Sequence, residues 1–167
     1  FRPGMNVADL GSAPGSWTQI VRERLTDKNG ELKGRIIAMD ILPMEPIDGV
    51  TFLQGDFREQ EVADKLNEIL GGDKLDVVIS DMAPNLSGIA MVDANASLLL
   101  NELALDFAVE HLKPEGVFVT KAFQGSGYSQ FIENCKKHFV SVAQRKPEAS
   151  RNSSAEMYVV ARRLKNK

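Results

Sequence analysis

The sequence predicts an α/β domain built on a mostly parallel, seven-stranded sheet, with helices on both faces and an antiparallel hairpin at its end. Three observations predict it. Short apolar runs alternate with amphipathic stretches, the pattern of parallel strands joined by crossover helices. The last two apolar runs follow each other without a convincing helix between them, so they must pair antiparallel. The chain has 167 residues, 43% of them hydrophobic and 26% charged, which suits a single domain spanning 1–167 that buries roughly 70% of its unfolded surface.

Each element has its own signal. Residues 5–10 form an apolar run that ends in Gly-Ser-Ala-Pro-Gly-Ser and leads into a helical pattern from about 17 to 25. Residues 34–40 (GRIIAMD) and 50–53 read as buried strands. Residues 59–70 are amphipathic, with Val62, Leu66, Ile69 and Leu70 on one face and Gly71-Gly72 as the stop. Residues 75–80 (LDVVIS) are again a strand. The next helix carries Leu100, Leu103, Ala104, Phe107 and Ala108 inward, with Glu102, Asp106 and Glu110 outward. Lys113-Pro114-Glu115-Gly116 reads as a turn before a strand over 117–121. A helix over 129–138 and strands over about 139–145 and 156–161 complete the order.

Composition and charge narrow the function classes. No apolar stretch approaches the roughly 20 residues of a membrane span. One cysteine, Cys135, excludes an internal disulfide framework, and His111 and His138 have no metal-ligand spacing. The net charge of −3 is unevenly spread: residues 1–133 hold 11 basic and 21 acidic side chains, and residues 134–167 hold 9 and 2. The two parts therefore carry −10 and +7. A basic end on an acidic body suits a local phosphate-binding face, although a solvated surface has the same composition.

The candidate ligand site starts at the first loop, Asp9 to Trp17, where Gly11 and Gly15 allow close backbone approach and Pro14 suits a first helical turn. In open parallel sheets a nucleotide-like ligand binds at this position. Ala13 breaks the G-x-G-x-x-G dinucleotide pattern, and there is no Gly-Lys-Ser/Thr of a P-loop, which disfavours pyrophosphate and with it a dehydrogenase. A plain strand-to-helix turn uses the same glycines. Asp40 closes the second strand, where a carboxylate accepts from ribose hydroxyls, and Asp56 follows the third, where one accepts from an adenine amino group. A single loop aspartate is more often a cap, but two at successive strand ends above a glycine loop point to a ligand. Asp81 follows the fourth strand, Lys121 closes the fifth, and Glu156 opens the last. An antiparallel last strand begins at the end of the sheet where the others finish, so these three groups converge. A lysine between two acids is a catalytic candidate.

Asp9-Leu-Gly-Ser-Ala-Pro-Gly-Ser-Trp17, Asp40-Ile-Leu-Pro-Met44, Gln54-Gly-Asp-Phe57, Ser80-Asp-Met-Ala-Pro-Asn85, Val119-Thr-Lys-Ala-Phe-Gln-Gly125 and Arg145-Lys-Pro147 together resemble the FtsJ/RrmJ family. The resemblance covers essentially the whole chain. It implies a Rossmann-like methyltransferase fold, S-adenosylmethionine as methyl donor, and the ribose 2′-hydroxyl of a large-subunit ribosomal RNA uridine as acceptor. It also implies a Lys-Asp-Lys-Glu catalytic set, of which Asp81, Lys121 and Glu156 match the last three. The first lysine lies upstream of the glycine loop in the family and has no match here. The expectation is therefore that the family's N-terminal RNA-binding extension is absent from this sequence.

Gly11, Ser12, Pro14, Gly15, Trp17, Asp40, Asp56 and Asp81 are the expected cofactor-binding residues, with no metal. Lys136, Lys137, Arg145, Lys146 and Arg151 are the expected RNA-binding residues. The expected protein is a cytoplasmic monomer, or a mitochondrial one if it is an organellar relative. The rivals are methylation of transfer or organellar ribosomal RNA, a base methyltransferase, and a catalytically idle RNA-binding scaffold. A C5-cytosine enzyme needs a cysteine nucleophile, whereas Cys135 reads as helix packing. An adenine N6 enzyme favours an aromatic after Asp/Asn-Pro-Pro, which Asp81-Met-Ala-Pro84 lacks. Lys121 can act as a base or as a charged stabiliser of developing alkoxide, and both roles stay open.

Overall fold

The computed structural model describes residues 4–11, 16–32, 34–40, 47, 49–56, 59–81, 90–125, 127–146 and 156–165. The chain divides into two compact units, 1–79 and 80–167. The first holds β1 (Asn6–Leu10), α1 (Ser16–Leu25), β2 (Arg35–Asp40), β3 (Val50–Gln54), α2 (Gln60–Leu70) and most of β4 (Leu75–Ser80). Its strands run in the order β3-β2-β1-β4, with β1–β2 and β2–β3 parallel. Val7, Val21, Leu25, Ile36, Val77 and Ile79 form its core cluster. In α2, Val62, Leu66 and Leu70 are buried as the periodicity predicts, and Gly71 ends the helix by donating its N–H to the Asn67 carbonyl.

The second unit holds α3 (Ala90–His111), β5 (Leu112–Phe123), α4 (Tyr128–His138), β6 (Phe139–Arg145) and β7 (Glu156–Leu164). The order β5-β7-β6 is antiparallel throughout. The expected terminal hairpin is therefore present, with β7 inserted between β5 and β6. The seven expected strands are all there, four in the first group and three in the second.

Burial alternates along β5, with Phe118, Thr120 and Ala122 buried and the residues between them partly exposed. The register gives this alternation two faces. One row runs Thr120–Val159–Gln144 and the next runs Lys121–Tyr158–Arg145. Opposed residues share a face of the sheet. α3 and α4 lie on the Thr120 face. Asn101 of α3 accepts from the Thr120 hydroxyl at 3.4 Å, and the Tyr128 hydroxyl of α4 donates to Gln144 at 2.6 Å.

Two details differ from expectation. The turn signal at Lys113-Pro114-Glu115-Gly116 lies inside β5, as the extended first part of that strand. Pairing with β7 starts only at Val117, so Pro114 is not asked for a ladder N–H at that edge. In α3, Leu105 is buried and Leu103 only partly so, while Glu102 is half-buried because it accepts from the Asn134 amide at 2.8 Å.

Cys135 lies on the buried side of α4, and burial, helped by the Glu102 carboxylate, pushes its thiol from 9.0 up to about 12. The folded chain keeps this proton where the unfolded chain loses it. The resulting stability is present below the unfolded value of about 9 and is lost as pH rises toward 12. Urea midpoints of the wild type are expected to fall above that lower value more steeply than those of Cys135→Ala. Parallel curves would remove the thiol as the cause.

Candidate active site

Gly11, Asp40 and Asp56 come together at one edge of the first unit. Leu10 is level with Met39, and Asp40 with Gln54, so the carboxyl ends of three neighbouring parallel strands finish together. The ladders continue one step further: Gly11 donates its N–H to the Met39 carbonyl and Gly55 to the Asp40 carbonyl, both at 2.8 Å. Gly11 has a φ of 70°, a left-handed turn that glycine adopts at little cost. Asp40 and Asp56 are half-buried, as carboxylates held against a sheet yet open to a ligand would be. The edge thus offers a glycine turn and two hydrogen-bond acceptors in a row. That set fits the ribose hydroxyls and amino group of an adenosine, and it lacks the glycine-and-lysine cradle of a triphosphate.

The sequence reading missed one feature of this edge. Asp9 is fully buried at the end of β1, and the buried Thr18 hydroxyl of α1 donates to its Oδ2 at 2.6 Å. This bond ties together the residues on either side of the glycine loop. Its signal was available: Thr18 stands at i, i+3 and i+7 with the apolar Val21 and Leu25, a polar residue on a buried stripe.

In the second unit Asp81 and Lys121 meet, as the strand-end argument predicts. Lys121 Nζ lies 2.7 Å from Asp81 Oδ1, with the two side chains 18% and 27% exposed. That Oδ1 is itself sealed from solvent, so the exposed part of the carboxylate is not the oxygen that holds the lysine. The pair is therefore close, partly desolvated and still reachable, the condition under which a charge contact is strong and a substrate can approach. The register places residue 156 opposite Phe123, two positions along β7 from Tyr158, which is opposite Lys121. Tyr158 and Phe123 were not singled out in the sequence, although both stand two residues from a predicted catalytic position on a strand, and so on its face.

The described members of the expected RNA-binding set do not gather on one surface. Lys136 and Lys137 are exposed on α4, which covers the Gln144 face, and Lys136 pairs with Glu133 at 3.7 Å. Arg145 is exposed in the row that begins at Lys121, and the exposed Lys146 follows it. Ser12, Pro14, Gly15 and Arg151 lie outside the described residues, as do the side chains of Trp17 and Glu156. Among the described residues no group of His, Cys, Asp or Glu is arranged to hold a metal ion, and no helix is long and apolar enough to cross a membrane.

Comparison with known proteins agrees with this geometry. The family model described as FtsJ-like methyltransferase matches residues 1–164. Ribosomal RNA large subunit methyltransferase E of Bordetella petrii is 54% identical over 166 residues, covering 99% of this chain and 79% of that protein. The protein of that name from Ralstonia pickettii is 54% identical over 174 residues, again covering 99% and 79%. Among solved structures, a putative ribosomal RNA methyltransferase from Plasmodium falciparum superposes with a TM-score of 0.85 at 29% identity, covering 99% of this chain and 90% of that one. Human methyltransferase-like protein 13, solved with SAH, gives a TM-score of 0.66 at 17% identity over 95% and 72%, a likeness of fold. The fold is that of the Rossmann-like methyltransferases, and the chain belongs to the FtsJ-like methyltransferase family.

Proposed function

We propose that the chain transfers a methyl group from S-adenosylmethionine to the ribose 2′-hydroxyl of a uridine in large-subunit ribosomal RNA. The observation that carries the reading is the Asp81–Lys121 pair, 2.7 Å apart at the ends of two strands. The names of the relatives supply the substrate class. The methyl donor is the family's, and Gly11, Asp40 and Asp56 are the described residues that would hold its adenosine. Ser12, Pro14, Gly15 and Trp17 join them by family resemblance. When bound, S-adenosylmethionine supplies the methyl group as an electrophilic carbon on a sulfonium.

The residues of this chain prepare the other reactant. The hydroxyl is a poor nucleophile until its proton is drawn away. As the new O–CH₃ bond forms and the S–CH₃ bond breaks, that proton must leave the oxygen. Lys121 either accepts it as the free amine or, as the ammonium, stabilises the developing alkoxide. Asp81 holds the lysine in place in both cases. Glu156 is the third catalytic member by resemblance. Arg145 and Lys146 are proposed to contact phosphates beside the acceptor. Lys136, Lys137 and Arg151 would contribute to RNA affinity at longer range. We further propose that residues 1–167 form a single methyltransferase domain and that the enzyme is a cytoplasmic monomer.

Tritium transfer from labelled S-adenosylmethionine into large-subunit ribosomal particles tests the reading. Label should appear as 2′-O-methyluridine on mass spectrometry of the digested RNA. An idle scaffold would transfer nothing, and a base methyltransferase would put the label on the base. Asp40→Ala removes an acceptor for ribose hydroxyls and should weaken S-adenosylmethionine binding by about 1–3 kcal/mol. Unchanged affinity by calorimetry would take Asp40 out of the site.

A further inference from the structure

Phe123, the last residue of β5, is 38% exposed and is the one aromatic among the large apolar side chains that the described residues leave open to solvent. Ile20, Leu99 and Val140 are the others. Its position differs from theirs in a specific way. Phe123 stands two residues beyond Lys121 on a strand whose burial alternates, so both belong to the face opposite α3 and α4. The Lys121 ammonium lies over its ring, 6.0 Å from the centroid, at the outer limit of a cation–π contact. The same ammonium is 2.7 Å from Asp81. An apolar ring at the mouth of an ion pair gains little from that contact alone, and it costs the chain an exposed aromatic surface.

From this we infer that Phe123 is a stacking platform for a nucleobase of the RNA substrate, either the base of the methylated nucleotide or its neighbour. The inference rests on the methyltransferase reading of the Asp81–Lys121 pair. The base is joined to C1′, the carbon beside the one that bears the 2′-hydroxyl. A ribose held with that hydroxyl at Lys121 therefore keeps its own base, or the next, within reach of a ring on the same face. Unpaired bases in RNA are read by stacking on aromatic side chains, and this tolerates any base because each has a π-face. The contact also fixes the ribose against rotation, which aligns the hydroxyl for in-line attack. Phe123 is a binding residue in this account, since it takes no part in proton transfer.

The test compares the wild type with Phe123→Ala, Phe123→Leu and Phe123→Tyr on large-subunit particles from cells that lack the modification. KM for the particle and calorimetric affinity for S-adenosylmethionine are measured on each. Stacking one base is lost in the alanine and leucine variants, so KM should rise roughly 10- to 100-fold in both, with cofactor affinity unchanged. The tyrosine variant should stay within about threefold of the wild type, because it keeps the ring. Leucine fills the site without a π-face and guards against a loss that comes only from a cavity. The inference is overturned if leucine restores KM as well as tyrosine does, if alanine leaves KM unchanged, or if S-adenosylmethionine affinity falls in step. Failure of the methyltransferase reading is seen separately, in the wild type, which would then transfer no label.

Discussion

Replacing Lys121 with alanine is expected to lower methyl transfer by at least 100-fold, while S-adenosylmethionine affinity stays near the wild-type value. The general-base contribution of a positioned side chain is about 10²–10⁴-fold, and stabilising a charge that grows toward the transition state is of similar size. Neither is exerted on the bound cofactor in the ground state, so the loss should fall on kcat. Asp81 is 27% exposed, and the alanine leaves room for water beside the Oδ1 that held the lysine, so the site need not collapse. Asp81→Ala differs because it should impair both cofactor binding and rate. Lys121→Arg separates the two roles left open for the lysine. A guanidinium stays charged, so it can substitute for a cationic stabiliser but not for a base. Single-turnover tritium transfer reads all three variants. More than about a tenth of wild-type turnover in Lys121→Ala would remove Lys121 from the chemistry.

Gly34→Ala is expected to be the most damaging small substitution in the first unit, at roughly 2–5 kcal/mol. The residue has a φ of 137°, which a side chain tolerates poorly. A Cβ there would lie 2.6 Å from the Met5 carbonyl oxygen and 3.1 Å from Leu25 Cδ1. The first neighbour is backbone and cannot swing away, because the same oxygen accepts the Arg35 N–H at 3.0 Å at the start of the β1–β2 pair. Positive φ and overpacking each cost about 1–3 kcal/mol, and here they act together at the edge of the core cluster. Urea unfolding followed by far-ultraviolet circular dichroism checks the figure. A midpoint equal to that of the wild type would mean that β1 and β2 can separate at this end without loss.

Much of the fold was readable because its signals are local. The 3.6-residue period of residues 60–70, with Gly71 after it, needs no neighbour to be recognised, and β4 matches its expected bounds of 75–80. The meeting of Asp81 and Lys121 was readable for another reason: each closes a strand, and strands that finish at one end of a sheet bring their next residues together. Pro114 misled because a proline and a glycine spell a turn in isolation, whereas the start of β5, which pairs with β7 only from Val117, accommodates both in extended backbone. The Lys121–Tyr158–Arg145 row was out of reach from sequence. It depends on the register of two antiparallel pairings, and a slip of one residue in either would send Tyr158 to the other face. The same dependence on register separates Arg145 from Lys136 and Lys137, which composition alone had grouped together.

The place of β7 between β5 and β6 governs how the second unit can be made. β6 is synthesised before β7, yet in the finished sheet it touches β5 only through that later strand. Until residues 156–164 leave the ribosome, β5 and β6 each present a row of unpaired backbone groups, the kind of edge that recruits other chains. Cotranslational folding of this half must therefore stall at α4, and the final step is a long-range closure of the slow type. Arrested nascent chains that end between β6 and β7 should accordingly be protease-sensitive beyond β4 and should engage holdase chaperones. Once β7 has cleared the ribosome and paired between β5 and β6, they should become resistant in a single step.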